Sequence, residues 1–220
     1  MLEYADFSIK LHQNKLTIQF YESYEPIIKS LTRTKILLGV NITNNYTFVT
    51  LNANSIEKAN FMNENINDIY KLIHNIGNQI KYLITSENIG LLGFSLENFF
   101  IIDSNILIYI PNLADVCQID DDSIMITTPF IHDSLIKSPE LSKITTLPAT
   151  IHFKTIYFSL GCVLIYIILK AKYDMREIEN SSTQLLDKLP IPIQINESKI
   201  YYFIKRCLYN NPKDRCLLFI

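Results

Sequence analysis

The chain has 220 residues, 48% hydrophobic and 19% charged, which is enough apolar content to bury a core as one domain or as two closely packed lobes. Its 20 basic and 22 acidic residues leave a net charge of -2 with no block of like charge, so neither nucleic acid nor an anionic membrane is an expected partner. Cys117, Cys162, Cys207 and Cys216 form no CxxC pair and have no histidine at ligand spacing. Neither a zinc site nor a disulfide framework is expected, and buried or idle thiols in a reducing compartment are the better reading.

The first six residues lack a basic stretch followed by an apolar one, so a cytoplasmic location, or a nuclear one, is expected over secretion. Residues 7–11 and 16–20 alternate as two strands joined by His12-Gln13-Asn14-Lys15. Residues 22–31 suggest a helix interrupted by Pro26, and residues 36–40 and 46–51 a second strand pair around Asn44-Asn45. Over residues 56–84, Ile66, Ile69, Tyr70, Ile73, Ile76, Ile80 and Leu83 recur every three or four positions, the spacing of one helical face. Residues 99–102 and 106–110, separated by Asp103-Ser104-Asn105, form an apolar hairpin. Helices are expected to dominate from residue 153 to 208. Within that stretch residues 156–169 are nearly all apolar, but a membrane span needs about 20 such residues, so a helix buried on all sides is expected.

Several other groups carry no chemistry at this level. His12, His74, His132 and His152 lie far apart, and Ser159-Leu160-Gly161 lacks the GxSxG elbow of a hydrolase. Asp120-Asp121-Asp122 reads as a solvated loop, since three consecutive carboxylates point in different directions.

A β-rich start, a long helix, an apolar hairpin and a helical remainder resemble the order found in protein kinases, and the likeness covers most of the chain. Lys35-Ile36-Leu37-Leu38-Gly39-Val40 and Tyr46-Thr47-Phe48-Val49-Thr50-Leu51 look like the fourth and fifth strands of that family. Ser95-Leu96-Glu97-Asn98 resembles the end of the catalytic loop, and Ser138-Pro139-Glu140 the Ala-Pro-Glu that closes the activation segment. Tyr157-Phe158-Ser159-Leu160-Gly161-Cys162 is similar to the central helix, and Asn211-Pro212-Lys213-Asp214-Arg215 to the late arginine loop. The resemblance implies an α+β, protein-kinase-like fold, with a reduced, mainly β N-terminal lobe over residues 1–53. A mostly helical C-terminal lobe would follow over residues 54–220, truncated after the Arg215 loop. It further implies a buried Glu140–Arg215 ion pair and a structural Gly161.

The same alignment implies that the catalytic groups are lost. Kinase chemistry needs a glycine-rich loop, a lysine, a catalytic aspartate and metal ligands at set positions. No glycine precedes Gly39, and Gln19 stands where the lysine would be. The lysine's acidic partner falls near Tyr24, with Glu22 or Glu25 as stand-ins. Leu91-Leu92-Gly93 replaces His-Arg-Asp, and Ile110-Pro111-Asn112 replaces Asp-Phe-Gly. Asn98 is the one matching metal-site position, and it is expected to brace a loop because a single amide oxygen does not hold magnesium. The expectation is a pseudokinase without cofactor or metal, binding an active kinase, a kinase substrate or a multi-protein assembly. Two alternatives are an atypical serine/threonine kinase or ATP-binding protein using Glu97, Asp103 or Asp115, and an unrelated α+β interaction domain.

Overall fold

The computed structural model describes residues 2–21, 25–32, 37–42, 47–61, 66–129, 134–169, 174–188 and 198–218. The elements expected around Glu22 and Tyr24, the Asn44-Asn45 turn and His132 lie outside these residues. The chain opens with β1 (Leu2–Glu3), β2 (Phe7–His12), β3 (Lys15–Phe20), α1 (Glu25–Thr32), β4 (Leu37–Ile42) and β5 (Thr47–Asn52). It continues with β6 (Ile56–Lys58), α2 (Ile66–Glu87), β7 (Ile89–Leu91), β8 (Phe94–Ser95), β9 (Phe99–Ile102) and β10 (Ile106–Tyr109). Then come β11 (Val116–Asp120), β12 (Ser123–Ile126), β13 (Leu135–Ile136), α3 (Pro139–Ser142) and β14 (Ala149–His152). Helices α4 (Thr155–Ile168), α5 (Met175–Lys188) and α6 (Lys199–Cys207) complete it.

The chain divides into two compact units, the first made of Met1–Ala59, Lys71–Ile89 and Glu97–Ala114. The first unit thus takes in more of the chain than residues 1–53. Its main sheet has the order β1-β2-β3-β5-β4, antiparallel throughout. The β2–β3 turn places Gln13 and Asn14 at φ 47° and 61°, the left-handed pair that matches strand twist in a two-residue hairpin. Along β3 the residues Leu16, Ile18 and Phe20 are buried while Lys15, Thr17 and Gln19 face the other way, the period of two of a half-buried strand. Pro26 sits in the first turn of α1, where its missing N–H costs nothing, so the helix forms despite it.

A second sheet of the same unit runs β10-β9-β6. Residues 56–58, expected to begin the long helix, are therefore a strand, pairing Ile56 with Ile102. Asp103 fixes this junction: its Oδ1 accepts from the backbone N–H of Asn54 at 2.7 Å and of Ser55 at 2.8 Å. Tyr4, Phe7, Phe20 and Phe100 form an aromatic cluster, with Tyr4 stacked on Phe7 at 4.5 Å and Phe100 edge-on to both. Helix α2 is tied to β10 by buried Gln79, whose Nε2 donates to Tyr109 O at 2.7 Å while its Oε1 accepts from Tyr109 N–H at 3.2 Å. This amide takes the place of a neighbouring strand's peptide group.

The second unit comprises Asn60–Tyr70, Gly90–Leu96 and Asp115–Ile220. A mostly helical C-terminal lobe is not what forms here, and that part of the expected fold is corrected. Residues 89–152 carry the eight strands β7 to β14, those of this unit arranged in a sheet of order β14-β12-β11-β7 and in the pair β13-β8. The class remains α+β. The physical reason lies in the segment read as a solvated loop: Asp121 and Asp122 adopt φ 43° and 64° and close a hairpin in which Asp120 opposes Ser123. Aspartate tolerates that left-handed geometry, and the alternation on either side buries Ile124 and Ile126 while exposing Met125. Leu92, Ile124, Ile126, Leu135, Leu141 and Ile151 then share one apolar cluster.

Helix α4 is buried over nearly its whole length and packs against α5 and α6. Ser159 satisfies its hydroxyl by donating to Ile136 O at 2.8 Å. Among the described residues no helix is long and apolar enough to cross a membrane.

Candidate functional site

In the first unit, Asn98, Ile110 and Asn112 are linked by internal contacts. Asn98 is buried at the end of a helical turn, Leu96–Asn98, and its Nδ2 donates to Asn112 Oδ1 at 3.0 Å. Its backbone oxygen accepts from the N–H of Ile110 at 3.1 Å, and Ile110 itself is fully buried. The N–H of Leu113, next after Asn112, donates to Asp6 Oδ2 at 2.8 Å. Apolar Ile110 offers no ligand, and the Asn98 NH2 group is bonded to Asn112. The role of Asp6 was not foreseen, because nothing in the local sequence links the β1–β2 turn to a segment over a hundred positions away.

Gln19 lies half-buried on β3, opposite Ser8 on one side and Phe48 on the other. Glu25, one stand-in for the acidic partner, instead pairs with Lys29 at 3.0 Å on the surface of α1. Lys29 also reaches Glu87 at 3.5 Å, and its pKa is raised, first by the Glu25 hydrogen bond. Of the displaced acidic groups, Glu97 is exposed, Asp103 holds the two backbone N–H groups described above, and Asp115 is buried. Among the described residues no group of three histidine, cysteine, aspartate or glutamate side chains is placed to hold a metal ion.

In the second unit, Gly93 lies in the tight link between β7 and β8, against β13. A Cβ there would overlap the backbone oxygen of Ile136 and lie 2.9 Å from Leu135 Cγ. Real Cβ atoms do not tolerate such separations, so a side chain of any kind requires β13 to move. A carboxylate at position 93 is thus absent by composition and excluded by the surrounding backbone.

The ion pair implied by the resemblance is present. Arg215 is fully buried and meets Glu140 through two parallel bonds, Nη1 to Oε1 at 2.5 Å and Nη2 to Oε2 at 2.9 Å. Its Nε donates to Tyr209 O at 2.8 Å, and longer bonds reach Lys154 O and Asn210 O, both at 3.4 Å. The guanidinium also lies over the Phe158 ring at 5.0 Å. Nε and both Nη groups all have acceptors, which is the condition under which a buried charge is tolerated. Glu140 is aimed by α3, whose Ser138 cap accepts from Leu141 N–H at 3.3 Å and bonds Thr155 Oγ1 at 2.5 Å. Ser followed by Pro is a helix-start signal, so this local geometry was present in the sequence.

Gly161 is buried in α4, where a Cβ would stand 2.7 Å from Leu208 Cδ2 and 3.2 Å from Cys207 Cβ. The glycine therefore sets how closely the end of α6 approaches α4. Burial pushes the thiol pKa of Cys207 far up, and that of Cys117 up to about 11, leaving both protonated at neutral pH. The Tyr157 phenol is likewise pushed up to about 12 by burial.

Glu179 on α5 accepts from Lys137 N–H at 2.7 Å, and burial holds its carboxyl above the ordinary value of 4.5. His152 Nδ1 accepts from Lys154 N–H at 3.2 Å, and burial, then the Lys154 charge, lower its pKa.

No family model matches this chain. A search of curated proteins likewise finds no match.

Proposed function

We propose that the chain is a catalytically inactive, kinase-related domain that acts by binding another protein, as a scaffold or regulator, in the cytoplasm. The partner would be an active kinase or a member of a multi-protein assembly, with no cofactor required. The observation that carries this reading is Gly93: at the aligned catalytic position the neighbouring strand β13 leaves no room for a Cβ, while the Glu140–Arg215 clamp is retained in full. On this reading the contacts that hold the unit together are kept, and the position where chemistry would occur is closed.

A second reading, an α+β interaction domain unrelated to kinases, is favoured by the sheet β14-β12-β11-β7 in the region expected to be helical. Thermal unfolding of the purified chain with and without ATP and magnesium tests the main proposal. A ligand that binds the folded state alone raises the melting temperature. No shift at millimolar nucleotide is expected, and a magnesium-dependent rise would overturn the proposal.

A further inference from the structure

Six large hydrophobic residues are exposed among the described residues, and three of them, Tyr202, Tyr209 and Leu218, fall within the last seventeen described positions, 202–218. Tyr202 lies on α6 and Tyr209 just beyond its end, with exposures of 47% and 41%. Leu218, 47% exposed, is brought to the same helix because Arg206 Nη1 donates to its backbone oxygen at 3.0 Å. Lys199 and Lys205 are exposed on α6, with Lys205 Nζ 5.7 Å from the centre of the Tyr201 ring. The helix sequence Lys199–Cys207 contains no acidic residue. Exposed Asp214 nearby is bonded by Asn211 at 3.1 Å, and Glu197 ahead of the helix lies outside the described residues. Residues three and four apart share a helical face, so Lys199, Tyr202, Lys205 and Arg206 present one cationic and aromatic surface.

We infer that this face of α6, with Tyr209 and Leu218, docks an acidic segment of a partner protein that also carries apolar side chains. The inference deepens the reading of the chain as a protein-binding domain and rests on it. Charge selects the occupant: three cations without a carboxylate on the helix suit glutamate- or aspartate-bearing peptide, and tyrosine with arginine is the residue pair enriched where interfaces are anchored. A nucleic acid or an anionic membrane is disfavoured. Both reward extended basic fields, clusters of about four to eight cations in the membrane case, whereas this chain is net acidic with its charges dispersed.

The test uses the full chain and a fluorescein-labelled peptide of Glu-Glu-Phe repeats, followed by anisotropy at physiological salt, with a Lys-Lys-Phe peptide as control. Binding of the acidic peptide alone is expected, together with amide chemical-shift changes confined to residues 199–209 and 216–218. The double variant Lys199→Glu/Lys205→Glu should weaken it by about tenfold or more. Tyr202→Ala, a second surface change that leaves charge intact, should weaken it also. Equal binding of both peptides, shifts located elsewhere, or unchanged affinity in both variants would overturn the inference. So would tighter, salt-sensitive binding of single-stranded RNA or of phosphatidylserine vesicles. Nucleotide protection in the thermal assay concerns the inactive-kinase reading alone, so the two proposals fail separately.

Discussion

Arg215 and Glu140 are joined by two parallel charge-assisted hydrogen bonds, with the arginine side chain fully enclosed and the glutamate 19% exposed. Replacing Arg215 by alanine strands a carboxylate and removes the donors to Tyr209 O, Lys154 O and Asn210 O. Breaking such a pair costs about 3–5 kcal/mol. Arg215→Ala is therefore expected to lower the melting temperature sharply, and an unchanged transition would remove the clamp from the account. Glu140→Ala leaves the enclosed cation behind and should be of similar size.

An acid placed at position 93 should not confer phosphotransfer. Gly93→Asp places a Cβ against the Ile136 carbonyl, and overpacking of this kind costs about 1–3 kcal/mol. Denaturant unfolding should register that loss while phosphotransfer to a generic substrate stays at background. A fully stable variant would mean that β13 yields easily, and the steric argument would fall. Gly161→Ala tests the same physics at the α4–α6 contact, with Leu208 as the residue that must give way.

Gln79→Leu keeps the volume but strips two hydrogen bonds from the Tyr109 backbone, in a buried place. Each buried peptide group left without a bond costs about 1–3 kcal/mol. Hydrogen exchange at the Tyr109 amide should accelerate well beyond the global effect. Protection equal to that of the parent would show that the amide bridge contributes nothing.

Two groups give opposite pH slopes. His152 has a folded pKa below its ordinary 6.5. On acidification the unfolded chain takes up this proton first, so its contribution is complete above 6.5 and is lost as pH falls toward the folded value. Glu179 has a folded pKa above its ordinary 4.5. On raising the pH the unfolded chain releases this proton first, so its contribution is present below 4.5 and is lost as pH rises through the folded value. Glu179→Gln keeps an acceptor for Lys137 N–H and should remove that second slope, while His152→Gln should remove the first. Stability curves across pH 4 to 7 that are identical for parent and variants would contradict both assignments.

Much of the first unit was legible because its signals are local. The alternation in residues 7–20 and the turn at Gln13-Asn14 specify β2 and β3 by themselves, and the three-to-four spacing from Ile66 onward specifies α2. The uniformly apolar run at 156–169 likewise declares α4, because a helix enclosed on all sides needs no polar face. What stayed hidden depends on partners distant in the chain. Residues 56–58 are a strand because β9 supplies the pairing, and Asp121-Asp122 turn a hairpin because β14 and β7 flank it, neither of which three consecutive acids announce. The clamp was readable through the motifs that carry its two residues. The contacts around Asn98 were half readable: the residue stood out, but Asn112, and Asp6 on neighbouring Leu113, became its setting through folding alone.

The way Gln79 grips Tyr109 bears on how this sequence can drift. The amide reads the peptide group of β10 and ignores the side chain, so the docking of helix to strand is insulated from changes at position 109 that keep the backbone in place. The burden falls on a single position of α2, where no residue other than glutamine or asparagine offers both a donor and an acceptor amide, and asparagine is one methylene too short to span the same gap. Divergent copies of this chain should therefore hold glutamine at 79, while position 109 answers to the packing of its enclosed ring against Phe99, 4.8 Å away.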